Sequence, residues 1–163
     1  MTIKAKPLTP EAFAPFGQVL MGSGEGPQRD EFAARMDNLR VDAKANMTFM
    51  RVPVDTAPLQ VSALERHSCS NQTFIPLNGT HSLVAVCPST PDGEPDLSGL
   101  VVFVATGAQA VNYNADVWHA PRCALCAPGE FVMLRHDNGS DVDTELRQLD
   151  TPVPVDLGSL LES

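Results

Sequence analysis

"TFIPLNGTHSLVAVC", residues 73–87, contains two short apolar runs split by Asn78-Gly79-Thr80. Each run suits a strand and is too short for a typical helix. The break between them holds Asn and Gly, residues that turns select. The same pattern continues downstream. "LVVFVA" (100–105), "QAVNY" (109–113), "CALCA" (123–127) and "EFVMLRH" (130–136) are separated by "STPDGEPD", "TGA", "NADVWHAP" and "PGE", with "DNGSD" after the last. Every separator carries Gly, Pro, Asn or Asp. No helical segment falls between the strands, so a parallel sheet with crossover helices is not expected. Short strands at regular spacing predict a mostly β chain, an antiparallel sandwich or barrel.

Upstream, "LTPEAFAPFGQVL" (8–20) predicts a short helix. Thr9 is placed to cap it, Pro10 takes the first helical position, and Glu11 faces its positive end. Phe13 and Phe16 can share a face, and Gly17 is expected to end the helix. Residues 22–30, "GSGEGPQRD", read as a polar loop, and the next strand is expected near 47–54. The tail "TPVPVDLGSLLES" (151–163) reads as a final edge segment with a short helix. The expected organisation is one domain over 1–163: a loop-rich part at 1–46, a β-barrel at about 47–150, and a tail.

Length and composition agree with this. The chain has 163 residues, 43% of them hydrophobic, enough for a real core. Its 14 Pro and 11 Gly favour turns over long helices. A net charge of −9 argues against nucleic acid or an anionic membrane as partner, but leaves room for a small anionic substrate. The longest apolar run, 100–105, is far too short to span a bilayer. The start "MTIKAKPLTPEAF" has no apolar run before Pro7, so no signal peptide is read and the cytoplasm is expected. Of the four cysteines, Cys123 and Cys126 form a CxxC. No second pair is spaced for zinc and no βαβ context suits a redox site, so these thiols read as incidental. Cys69 lies nearer the reactive residues, but nothing in the sequence activates it.

Just before the opening stretch lies "LERHSCSNQ" (64–72). Glu65 and His67 are two apart and share a face on a strand. Gln72 follows after four residues, and Gly79 after six more. This spacing resembles the first motif of the cupin superfamily, in which two His and a later Glu ligate a metal and a Gly closes a hairpin. Here Glu65 stands at the first His position and Gln72 at the Glu position. "GAQAVNYNADVWHAP" (107–121) is similar to the second cupin motif, with Gly107 at its start and His119 as its imidazole. "APGEFVML" (127–134) is similar to the strand entry that follows. The resemblance implies a small double-sheet jelly roll.

The ordered set "LTPEAFAPFGQVL", "LERH…QTFIPLNG", "PDLSGLVVFVATGAQAVNY" and "VWHAP" resembles the ureidoglycolate lyase family, also called ureidoglycolate hydrolase. That resemblance implies cleavage of (S)-ureidoglycolate to glyoxylate and urea in purine (allantoin) catabolism. It also implies a cupin-like homodimer and, for some members, a divalent metal such as nickel. The chain departs from the pattern at 22–46, a stretch placed to form one pocket wall. It departs again at "HDNGSDVDTE" (136–145), so the resemblance assigns no role to Asp137, Asn138 or Ser140.

Eliminating urea from ureidoglycolate needs a base for the hydroxyl proton and an acid for the departing nitrogen. His67 and His119, one from each motif, are the expected acid/base or metal centre. Glu65 is a ligand, a base, or the group that orients His67. Gln72 can hold the ureido group with donor and acceptor. Arg51 or Arg122 would clamp the carboxylate. Asn112 and Asn114 are expected to face the pocket, with Tyr113 turned away. A metal would draw on Glu65, His67, Gln72 and His119, a poorer set for tight transition-metal binding than a His-rich one. Trp118 is expected to pack a wall, Arg66 to serve packing or dimerisation, and His81 and His136 carry no role. Two alternatives stay open: hydrolysis of the same substrate to ammonia and CO2, and a non-catalytic cupin that binds a small molecule.

Overall fold

The computed structural model describes residues 2–32 and 36–161. Alternation along its strands sorts side chains into two apolar layers. In strand β7 (His81–Cys87), Val84 and Val86 point into one layer and Leu83, Ala85 and Cys87 into the other. Both faces are covered, which is why this run is almost continuously apolar.

The remaining strands are β1 (Ile3–Lys4), β2 (Lys6–Pro7), β3 (Gly17–Leu20), β4 (Lys44–Val52), β5 (Gln60–His67), β6 (Gln72–Pro76), β8 (Val101–Ala105), β9 (Ala110–Tyr113), β10 (Trp118–His119), β11 (Cys123–Leu125), β12 (Gly129–Asp137) and β13 (Thr144–Asp156). One sheet runs β1-β13-β5-β10-β7-β8-β2, with β11 also on β7. The other runs β3-β9-β6-β12-β4. They face each other as a jelly-roll barrel, the expected fold class. Phe13, Phe74, Phe103, Tyr113 and Phe131 fill the space between the sheets. Leu64, Leu83, Trp118 and Leu125 form a second layer on the outer face of the larger sheet, under Val155, Leu157 and Leu160 of the tail. Among the described residues, no helix is long and apolar enough to cross a membrane.

The turn at Asn78-Gly79 joins different partners from those its sequence suggests. β6 pairs with β9 and β12, whereas β7 pairs with β8, β10 and β11. The chain therefore crosses from one sheet to the other instead of closing a hairpin. Gly79 has φ +73°, a conformation glycine tolerates at little cost. The backbone of Gly107 lies so close to that turn that a Cβ there would overlap the Gly79 carbonyl.

The helix α1 (Pro10–Phe13) is capped by Thr9, whose hydroxyl accepts from the Ala12 N–H at 3.2 Å. Phe13 and Phe16 meet at 6.2 Å between ring centroids. The helix stops at Phe13, and Gly17 instead opens β3, where a Cβ would strike the Asn112 backbone. The tail is also corrected. Among the described residues, the outer side of β13 is covered only at its end, where β1 pairs in parallel with Val155 and Asp156. Residues 158–161 form turns, and the last two positions of the expected short helix lie outside the described residues. A two-residue strand such as β1 leaves no periodic signal, so that cover could not be read in advance.

Gly107→Ala forces a methyl group into backbone and is expected to cost about 3 kcal/mol of stability. Gly22→Ala, with nothing within 4 Å of its added Cβ, should stay within about 0.5 kcal/mol of wild type. Urea unfolding midpoints at constant slope measure both. Equal midpoints would show that the contact between the two turns does not constrain the fold.

Candidate active site

β5 ends with Glu65, Arg66 and His67, and the pleat turns the first and third of these into the barrel. β10 lies between β5 and β7 and sets His119 opposite Glu65. From the facing sheet, Gln72 begins β6 with Tyr113 of β9 on one side and Arg135 of β12 on the other. Thr144, at the start of β13, lies opposite His67. Six strands thus deliver one side chain or more each to the same end of the barrel.

His119 is buried and held at both ring nitrogens. Its Nδ1 lies 2.9 Å from the Val117 carbonyl, which can only accept, so Nδ1 carries a proton. Its Nε2 lies 2.8 Å from Gln72 Oε1 and 3.6 Å from Glu65 Oε1. A protonated Nε2 donates to that amide oxygen, and a bare one requires the amide turned over. The Tyr113 ring stacks on the imidazole at 4.2 Å and 13°. Burial raises the Tyr113 phenol above its ordinary value, so it stays protonated.

His67 is 3% exposed. Its Nδ1 lies 3.3 Å from the Thr144 hydroxyl, and its Nε2 is buried without a hydrogen-bond partner. Burial, then the charge of His119, push its pKa down to about 4, against the pull of Glu65. His67 is therefore neutral at pH 7. Burial alone would raise the Glu65 carboxyl, but its contact with His119 and the charges of His119, His67 and Arg135 outweigh this and hold it low. The site combines a neutral imidazole, a carboxylate, and a second imidazole paired to that carboxylate.

These residues also suit a divalent ion. The donor atoms of Glu65, His67 and His119 all lie within 4.8 Å of one another. Ligands of a single ion stand roughly 3.4 Å apart, so a small contraction would gather them. The orphaned Nε2 of His67 fits a ligand role. Gln72 fits less well, because its oxygen is turned to His119.

Glu65, His67, Gln72 and His119 come together as the motif spacing implied. The other expected residues do not join them. Arg51 points out of the barrel and pairs with Glu130 at 2.6 Å. Asn112 lies on the far face of β9, where it accepts from Asn71 Nδ2 and Thr73 Oγ1 (both 2.7 Å) and donates to Gln18 Oε1 at 2.6 Å. Asn114, on the same face, accepts from Gln18 Nε2 at 2.8 Å. Strand parity leaves one of two neighbours facing in, and the aromatic Tyr113 takes the apolar interior. Arg122 enters the barrel but stacks 4.2 Å over Phe74, with Nη1 donating to Ser82 Oγ at 3.2 Å. Trp118 packs in the outer layer, under the guanidinium of Arg66 at 4.7 Å.

Tyr113, Arg135 and Thr144 were missed. Arg135 could have been found, since Phe131 and Met133 alternate with it. The loop from His67 to Gln72 is held by buried Asp143, which accepts from Cys69 N–H (2.6 Å), Ser70 Oγ (2.6 Å) and Arg40 Nη2 (3.2 Å). Asn138 and Ser140 bond to each other at 2.6 Å in an exposed turn. All four cysteines are free, and burial pushes the Cys87 and Cys123 thiols up to about 12.

The sequence profile of the ureidoglycolate lyase family matches residues 1–156. A ureidoglycolate lyase of Schizosaccharomyces pombe is 32% identical, with 94% of each chain covered. One from Pseudomonas fluorescens (strain Pf0-1) is 35% identical over 87% of this chain and 89% of its own length. One from Pseudomonas syringae pv. tomato is 34% identical over 87% and 88%.

The low His67 pKa has a consequence for stability. Unfolded, the ring takes a proton near 6.5; folded, only near 4. Between these values the unfolded state binds more protons, so stability falls as pH drops from 6.5 to 4, by roughly 3 kcal/mol, and levels off below. His67→Gln should lose that component. Parallel urea titrations from pH 7.5 to 4 would show it as a shallower slope in the variant; identical slopes would refute a buried neutral His67.

Proposed function

Because the chain belongs to the ureidoglycolate lyase family, we propose that it cleaves (S)-ureidoglycolate into glyoxylate and urea. The observation that carries this reading is the pair of buried imidazoles, their centroids 5.7 Å apart, in different electrostatic settings. Groups whose surroundings push them apart are suited to opposite proton roles.

One carbon of the substrate bears a hydroxyl, a carboxylate and the ureido nitrogen. Elimination takes the hydroxyl proton, forms the aldehyde C=O, and breaks the C–N bond as the nitrogen gains a proton. His67 is neutral and its Nε2 has no partner, so it takes the hydroxyl proton. His119, its Nδ1–H fixed by Val117, gives the Nε2 proton to the departing urea nitrogen. Glu65 Oε1 lies 3.6 Å from that same nitrogen. Gln72 offers an amide donor and acceptor to the ureido group. Tyr113 covers one face of His119 and keeps water from it. A divalent ion, when bound, would be held by Glu65, His67 and His119 and would supply Lewis acidity toward a substrate oxygen.

The same proposal includes a cytoplasmic homodimer. It is supported by the outer face of the smaller sheet, where Met47 is 73% and Phe49 58% exposed on edge strand β4, beside Val132 and Leu134 of β12. An apolar face of this kind marks a contact surface. Sedimentation should give twice the mass of one 17.5 kDa chain, and Phe49→Lys with Met47→Lys should halve it. A wild-type monomer at micromolar concentration would refute the dimer.

Catalysis is tested with racemic ureidoglycolate, following urea, glyoxylate and ammonia separately. Equal amounts of urea and glyoxylate from one enantiomer are expected. His67→Asn and His119→Asn should each lower kcat by roughly 10²- to 10⁴-fold. Ammonia without urea would replace lyase by hydrolase, and no glyoxylate from either enantiomer would overturn the reading.

A further inference from the structure

Ureidoglycolate and glyoxylate both carry a carboxylate, and the centre described above is built from two imidazoles, an amide and a carboxylate of its own. A cation is needed to hold it. Arg51 faces solvent with Glu130, and Arg122 is sunk among the core rings, over Phe74 and Phe131, with Nη1 on Ser82 and its Nε and Nη2 buried without a hydrogen-bond partner.

We infer that Arg135 binds the substrate carboxylate and sets the preference for acid substrates. This rests on the ureidoglycolate reading. Three observations support it. First, Phe131, Met133 and Arg135 share the inward face of β12, and Arg135 pairs in register with Gln72, whose amide reaches His119. Second, its charge acts on both Glu65 and His67, so it belongs to the same field as the reacting groups. Third, its bonding is one-sided. Nε donates to Asp137 Oδ2 at 3.2 Å, and among the described residues the two Nη groups donate to nothing. Asp137 is itself anchored by Asn46 Nδ2 (2.8 Å) and the Gly139 N–H (3.3 Å), so it braces the guanidinium from behind. The side chain is 24% exposed, so the guanidinium is not sealed in the core. A guanidinium edge with two free donors matches a planar carboxylate.

The other arginines near this end are committed. Arg40 bonds Asp143, and Arg66 lies over Trp118 with Asp116 and Glu145. Lys44 sits one strand further out, opposite Asp137.

The carboxylate is unchanged by the reaction, so Arg135 holds substrate, transition state and glyoxylate alike. Such uniform binding appears in KM and in product affinity, and much less in kcat. The test is glyoxylate binding by calorimetry, with ureidoglycolate kinetics in parallel, for wild type, Arg135→Gln and Arg135→Lys. In Arg135→Gln, the glyoxylate Kd and the KM should each rise roughly 30-fold, with kcat within about fivefold of wild type. Arg135→Lys keeps the charge without the fork and should fall between. Melting curves confirm folding; if Arg135→Gln does not fold, Arg135→Lys decides, and an unchanged Kd there overturns the inference. Wild-type affinity for glyoxylate in folded Arg135→Gln also overturns it. If wild type binds glyoxylate through Arg135 but releases no urea from ureidoglycolate, the lyase reading fails and the carboxylate site stands. If wild type releases urea and glyoxylate but binds no glyoxylate, the inference falls and the lyase reading stands.

Discussion

Trp118 and His119 form a strand of only two residues, held between β5 and β7. Successive side chains on a strand point to opposite faces, so burying Trp118 in the outer layer obliges His119 to enter the barrel. The indole is fully buried, its Nε1–H donates to the Gly93 carbonyl at 3.1 Å, and two arginines lie over its ring. A large apolar burial on one face therefore supports a polar group on the other. The same strand sets His119 opposite Glu65, so the imidazole–carboxylate contact follows from backbone pairing.

The price of the site is desolvation. Two imidazoles and a carboxylate sit where the rest of the barrel is packed with Phe, Val and Met. The arrangement limits the cost in two ways. His67 stays neutral, so little charge is buried there. Glu65 keeps 22% of its side chain exposed and lies beside both rings. Hydrogen bonds from His119 to the Val117 carbonyl and Gln72 Oε1, and between His67 and the Thr144 hydroxyl, fix ring orientation. Within the imidazole pair, the Nε2 of His67 is left without a hydrogen-bond partner, a cost the neighbouring groups do not offset.

Much of the barrel was legible because period-two alternation and turn residues are local signals. The strands β6 to β9, β11 and β12 could be read from Gly, Pro, Asn and Asp between apolar runs, whereas the two-residue β10 lies inside "NADVWHAP", which reads only as a separator. Strand partners could not, as the crossing at Gly79 shows: the turn chemistry is the same whether the next strand pairs beside the last or in the facing sheet. At the site, spacing identified Glu65, His67, Gln72 and His119, because two motifs carry them at fixed offsets. Asn112 was misplaced by a parity choice that only the packing of Tyr113 decides. Arg51 ended a strand-like run, but strand β4 turns it outward with Glu130. Thr144 and Asp143 gave no signal, since their roles arise from the long strand β13 folding back on β5.

The near contact of Gly79 and Gly107 has a mechanical meaning. The two motif segments touch at one end through glycine backbones and at the other through imidazole rings, roughly 20 Å apart by strand length. A pair of segments clamped at both ends can neither slide nor twist independently. Selection for catalysis would therefore weigh on residues that never meet substrate, and a search for inactive variants would gather positions at both ends of the barrel.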